Sequence, residues 1–200
     1  MGVDNSPEML AAALADFPEE NWIKADIASW RPASVVDLVY SNAALHWLDD
    51  HETLFPILMR MLKPGGALAV QMPANFEQPT HTTIADVAHE FEWSADLEPT
   101  LLVHPVSSAD AYSRLLSPIS GHVDIWTTTY LQRLIGPDAV TEWISGSALR
   151  PVLAALPAEE QARFRREYTR RVNSAYQRDP DGVTLLPFTR IFIIATAGTD

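Results

Sequence analysis

Several side chains stand where a short apolar run gives way to a turn, and their types set the chemistry on offer. Asp4 follows Gly2-Val3 and precedes Ser6-Pro7. At the carboxyl end of a strand such a carboxylate can accept both hydrogen bonds from a ribose diol, although a surface aspartate favoured by a helix dipole has the same appearance. Asp26, in Lys24-Ala25-Asp26-Ile27, ends the next run. A carboxylate there can receive the amino group of a purine while Ile27 packs on the ring, and it is equally a turn aspartate. The third element, Tyr40-Ser41-Asn42-Ala43-Ala44-Leu45-His46-Trp47, leaves the following strand at the same edge, where open α/β sheets bind ligands. The six histidines show no His-x-x-x-His spacing, and His46 and His51 with Asp49 and Asp50 between them form the single cluster, so no metal is expected. Pro64-Gly65-Gly66 ends a helix instead of opening one, which argues against a phosphate cradle. With no cysteine, disulfides, thiolate metal sites and cysteine nucleophiles are excluded.

The elements that must position these groups alternate. Ser6 and Pro7 read as the N-cap and first residue of a helix with Met9, Leu10, Ala13, Leu14 and Phe17 on its apolar face. Strands are expected over 21–27, 35–41 and 67–72, with a helix over 49–62 stopped by Lys63-Pro64-Gly65-Gly66. This alternation predicts an α/β fold with a parallel sheet. Helices are expected over 80–93, 109–116, 137–149, 151–155 and 158–176, and strands over 123–131 and 188–197. The arginines from Arg163 to Arg171 are spread round several faces of one helix and mixed with Glu159, Glu160 and Glu167, a pattern that predicts a solvated surface. Trp22, Trp93 and Trp143 are read as core or lid aromatics.

A chain of 200 residues, 47% hydrophobic and 20% charged, suits one ordinary domain. The net charge of −12 excludes a basic footprint for nucleic acid or an anionic membrane. A small anion is still accommodated, because two local arginines outweigh a distant negative surface. The longest apolar stretches, such as 38–48, fall short of the roughly 18 residues of a membrane span. Asp4 and Glu8 stand where a signal peptide needs basic residues, so a cytoplasmic protein is expected.

Three strand ends in this order resemble the class I methyltransferases that use S-adenosylmethionine. The residues that carry the resemblance are Gly2-Val3-Asp4-x-Ser6-x-x-Met9, Ala25-Asp26, Asp37-Leu38-Val39, Leu45-x-Trp47-Leu48 and Leu62-x-Pro64-x-Gly66. Within that superfamily, Leu68-Ala69-Val70-Gln71-Met72-Pro73-x-Asn75 with Pro79-Thr80-His81 is similar to the trans-aconitate 2-methyltransferase branch. So are Val123-Asp124-Ile125-Trp126-x-Thr128-Thr129-Tyr130, Leu149-Arg150-Pro151 and Arg190-x-Phe192-Ile193-x-Ala195-Thr196.

The resemblance implies a Rossmann-like sheet with helical insertions. Residues 1–76 then hold the remaining cofactor part, 77–187 a largely helical substrate or lid part with one strand, and 188–200 the closing strand. The family's first strand, glycine-rich acidic loop and first helix have no counterpart here, so the chain is expected to lack that N-terminal unit and the central strand joining the halves of the sheet. The implied cofactor is S-adenosylmethionine, held by Asp4, Asp26, Ile27, Asn42 and Ala43. The implied substrate is a small tricarboxylate, with Arg150 and Arg190 as first choices because guanidinium binds carboxylate bidentately, and with His46, Gln71, His81 and Tyr130 as further hydrogen-bonding candidates and Trp47 as a wall. Surface ion pairs are the alternative for both arginines, a helix-starting role for His81 and a satisfied loop histidine for His46. The implied reaction is esterification of a carboxylate by positioning, with no catalytic acid or base. Methylation of another small acid or a carrier-bound malonyl group, and an interaction module without cofactor affinity, are the competing expectations.

Overall fold

The computed structural model describes residues 1–91, 93, 97 and 106–199. Its N-terminal unit is a short crossover. Strand β1 (Gly2–Asp4) leads into α1 (Pro7–Asp16), and β2 (Trp22–Lys24) returns parallel to β1. Ser6 caps α1 as its sequence anticipates, Oγ accepting from the Met9 N–H at 3.3 Å with Pro7 at the first helical position. The apolar face of α1 is not buried as expected: Met9, Leu14 and Phe17 are all more than half exposed.

The main sheet has the order β3-β4-β6-β5, built from β3 (Val36–Asn42), β4 (Leu62–Pro73), β5 (His122–Ile135) and β6 (Val183–Thr196). β3 and β4 run parallel, while β6 runs antiparallel to both β4 and β5. The expected parallel sheet is therefore a mixed one, with the parallel pairing confined to β1–β2 and β3–β4.

Between β3 and β4 run a single turn of helix at Leu45–Trp47 and α2 (His51–Arg60). The helix expected to reach Leu62 stops at Arg60, because Leu62 already pairs with Val36. Lys63 to Gly66 then make a bulge in the β3–β4 register, with Gly65 at φ 74° and Gly66 pressed against backbone. α3 (Pro79–Glu90) leaves the sheet, and Glu92, near the end of the helix expected over 80–93, lies outside the described residues. α4 (Ala109–Leu116) returns to it, and α5 (Ala139–Ser145), α6 (Leu149–Ala155) and α7 (Ala158–Ala175) fill the connection from β5 to β6.

Two apolar clusters organise these elements. One face of the sheet, with Leu68, Val70, Met72, Ile191 and Ile193, packs on Leu54, Phe55 and Leu58 of α2 and on Tyr112 and Leu116 of α4. The second cluster joins α3, α5, α6 and α7 through Val87, Ile144, Val152, Phe164 and Tyr168, with Leu134 and Leu186 from the far ends of β5 and β6. Trp93 belongs to that cluster, whereas Trp143 is 45% exposed and Trp22 is half-buried. The arginine-rich α7 carries a surface ion-pair ladder, Arg165 to Glu142, Arg170 to Glu167 and Arg171 to Glu90, as its mixed charges anticipate.

Candidate functional site

β1 and β2 form a separate two-stranded sheet, and the edges of β1 and β3 line one cleft of about 660 Å³. Asp4, Met9 and Leu10 line it from the first unit, Ile27 and Trp30 from the segment after β2, and Leu38, Tyr40, Asn42 and Ala44 from β3 and its loop. Among the described residues β1 and β3 are both unpaired along these edges, so much of the apolar lining is strand edge and core, including Val3, Val36, Val39, Leu58 and Met61; the polar residues it offers at strand ends are Asp4 and Asn42. The Oδ1 atom of Asp4 accepts from the Ser6 N–H at 2.8 Å, which orients the carboxylate and leaves Oδ2 free of protein donors among the described residues.

Of the five cofactor candidates, Asp4, Ile27 and Asn42 line this cleft. Asp26 and Ala43 are not among its lining residues. Asp26 makes the turn after β2, Oδ1 accepting from the Ala28 N–H at 2.9 Å. Ala43 has φ 51°, a left-handed conformation that costs an alanine about 1–2 kcal/mol. Its N–H donates to the Gln71 carbonyl at 2.9 Å, and the kink turns the chain away from β3 and into the Leu45–Trp47 turn.

Strand register then connects the cleft to a polar cluster. Asn42 pairs with Gln71, Gln71 with Phe192 and Phe192 with Trp126, so the four lie in one row across the sheet on the face opposite the core. Trp126 stacks on Phe192 with ring centroids 5.0 Å apart. Arg190, two residues before Phe192 on the same face, donates from Nη1 to Gln71 Oε1 at 2.8 Å. Its guanidinium also lies 5.0 Å from the Phe188 ring, and Phe188 pairs with Tyr130. The Gln71 Nε2 group is buried and has no partner among the described residues.

His46 joins this cluster from the turn after β3. Its Nδ1 is buried without a partner among the described residues, and its ring lies 4.7 Å from Trp47, which is 61% exposed. Burial, followed by the charges of Arg190 and His51, depresses its pKa to about 4, so the ring is neutral at pH 7. His46, Gln71 and Arg190 are thus brought together, with Trp47 and Tyr130 beside them. Arg150 stands exposed at the start of α6, without a side-chain hydrogen bond or ion pair among the described residues. His81 opens α3, with Nδ1 3.1 Å from Thr80 Oγ1 and its ring 5.2 Å from Phe76.

Residues not singled out by type also belong here. Phe192 and Trp126 wall the row, and Asn75 is buried just beyond β4 with Oδ1 accepting from the Thr189 N–H at 2.6 Å. The motif Met72-Pro73-x-Asn75 contained that signal. Among the described residues, no group of three or more His, Asp or Glu side chains could hold a metal ion, and no helix is long and apolar enough to cross a membrane.

A methyltransferase-domain family model matches residues 1–70. In fold, the chain is similar to the YcgJ protein of Bacillus subtilis, with a TM-score of 0.55 at 13% identity over 98% of this chain and 81% of that one. It is also similar to the Haemonchus contortus phosphoethanolamine N-methyltransferase 2 in complex with S-adenosyl-L-methionine, with a TM-score of 0.51 at 16% identity over 98% of this chain and 43% of that one. In sequence, it is 40% identical over 195 residues to the trans-aconitate 2-methyltransferase of Azoarcus sp. strain BH72, covering 98% of this chain and 76% of the relative. The enzyme of the same name from Variovorax paradoxus strain S110 is 44% identical over 201 residues, again at 98% and 76% coverage. Identity of this order across three quarters of the relatives' length shows that the chain belongs to the trans-aconitate 2-methyltransferase family of class I methyltransferases.

Proposed function

We propose that the protein transfers a methyl group from S-adenosylmethionine to a carboxylate of trans-aconitate, giving a monomethyl ester. The observation that carries the reading is the juxtaposition of two differently built sites along one sheet row. Asn42 lines the apolar cleft, and its register partner Gln71 is hydrogen-bonded to Arg190. Asp4 and Asn42, at the ends of β1 and β3, thus stand beside a cationic cluster suited to an acid.

Asp4, Ile27 and Asn42 are assigned to the cofactor, and Asp26 and Ala43 to the shape of the loops around it. When bound, S-adenosylmethionine supplies an electrophilic methyl group on a sulfonium. The acid needs no general base, because carboxylates with pKa values near 4 are already ionised at neutral pH. Arg190 and Gln71 hold one carboxylate of the substrate, and the neutral His46 adds a hydrogen bond without adding charge. Trp47, Tyr130, Trp126 and Phe192 exclude water from the carboxylate. Removing its hydration and fixing its approach are the protein's contributions to rate.

The testing experiment incubates the protein with S-adenosylmethionine and trans-aconitate and follows ester formation by mass spectrometry. A trans-aconitate monomethyl ester, accompanied by S-adenosylhomocysteine, is expected. Turnover of a malonyl carrier in place of the free acid would overturn the substrate assignment.

A further inference from the structure

We propose that Asn75 is a specificity residue of this acid site, donating its buried carboxamide NH2 to a substrate carboxylate other than the one held by Arg190. The inference rests on the reading of the site as an acid site and names how a polyacid is distinguished from a smaller one.

Asn75 lies two residues beyond β4 and is 3% exposed. Its Oδ1 accepts from the Thr189 N–H at 2.6 Å, and the neighbouring Ala74 N–H donates to the Thr189 carbonyl at 2.9 Å. These two bonds fix the loop against β6 and settle which end of the amide is the oxygen. The Nδ2 group is left buried, with no partner among the described residues. A buried donor without an acceptor is rare in a folded protein and calls for a ligand or an ordered water.

Gln71, four residues earlier, repeats the arrangement. Its oxygen is taken by Arg190, the residue after Thr189, and its NH2 is likewise buried and unpartnered among the described residues. The end of β4 therefore turns both amide oxygens to consecutive residues of β6, leaving two NH2 groups and the rest of a guanidinium. All of these are donors. A ligand bearing ammonium groups would find no acceptor among them, whereas a molecule bearing several carboxylates supplies a charged acceptor to each. One carboxylate at Arg190 and Gln71 and a second at Asn75 leave the third to react.

The test is calorimetric titration of the full chain, in the presence of S-adenosylhomocysteine, with trans-aconitate and with two acids that each lack one of its carboxylates, methylenesuccinate and methylfumarate. The wild-type chain is expected to bind the tricarboxylate at least about 10-fold more tightly than one of the two, the loss of a charged hydrogen bond. Asn75→Asp keeps the acceptor for Thr189 and replaces the donor with a like charge. It is expected to close that gap by weakening trans-aconitate binding about 10-fold or more while sparing the dicarboxylate. Asn75→Leu should do so to a smaller extent, and thermal melting of both variants without ligand reports whether they fold. Equal wild-type binding of all three acids, or a wild-type ratio retained by Asn75→Asp, would overturn the role of Asn75, because water then satisfies Nδ2. Absence of binding by any acid would instead overturn the acid site itself.

Discussion

The Nδ1 atom of His51 lies 2.6 Å from the Tyr112 hydroxyl, joining the first turn of α2 to α4 across 61 residues of sequence. His51 Nε2 donates to the Leu45 carbonyl at 2.9 Å, and the Ser107 N–H donates to the Tyr112 oxygen at 3.1 Å. A carbonyl can only accept, so Nε2 carries a proton, and in the neutral ring that burial favours Nδ1 then accepts from the tyrosine. The brace holds the turn that carries His46 and Trp47. Tyr112→Phe preserves the shape packed on Phe55 and leaves Nδ1 buried and unpaired, which should cost about 1–3 kcal/mol. Thermal unfolding should show this as a loss of roughly 2–4 °C for each kcal/mol. An unchanged melting temperature would mean that the hydroxyl braces nothing.

Acid should undo the same region. His46 is depressed to about 4 and His51 is lowered from 6.5, in both cases chiefly by burial. The unfolded chain therefore takes up protons that the folded chain refuses. The contribution of these two rings to stability is present above pH 6.5 and is lost as the pH falls below it, for His46 through about 4. Urea midpoints measured across that window should decline with falling pH. The decline should be shallower in His46→Gln, and an identical slope in that variant would show that His46 titrates normally.

Much of this architecture is legible in the residues. Ser6-Pro7 marks a capped helix start, and the apolar spacing of Leu54, Phe55 and Leu58 marks α2 with its inward face. The outer parts of β6 are less so, because Pro187 interrupts the run between Val183 and Phe188, yet an edge of the ladder accommodates it opposite Leu131. The alternation of helix and strand could not reveal that β6 turns back antiparallel, since long-range pairing carries no local signature. The same limit governs the site. Gln71 and Arg190 are recognisable by type, but their contact depends on the β4–β6 register across 119 residues. His51 shows in the sequence only as a member of the cluster with His46, Asp49 and Asp50, and its function as a buried brace depends on Tyr112, 61 residues away.

Gly66 should prove irreplaceable for a backbone reason. A Cβ there would stand 3.0 Å from the Lys63 carbonyl oxygen, 3.1 Å from that of Asp37 and 3.2 Å from that of Val36. Main-chain oxygens on both sides of the β3–β4 bulge cannot swing aside as a side chain can. Gly66→Ala is expected to destabilise the fold by about 1–3 kcal/mol, read as a lower urea midpoint. Gly146→Ala, where a Cβ meets nothing within 4 Å, provides the comparison and should change little. Equal midpoints for the two variants would show that the bulge relaxes.

Removing the guanidinium of Arg190 tests the acid site from its charged side. Arg190→Ala deletes the donor to Gln71 Oε1 and the cation over Phe188 without touching the residues that line the cleft. The KM for trans-aconitate should rise about 10- to 100-fold, as for the loss of a hydrogen bond to a charged group, while the affinity for S-adenosylhomocysteine stays the same. Arg190→Lys retains the charge but not the planar fork, so its KM should fall between the two. A rise in KM matched by an equal loss of S-adenosylhomocysteine affinity would place Arg190 in the architecture of the cleft rather than in contact with the acid. An unchanged KM would remove it from the site.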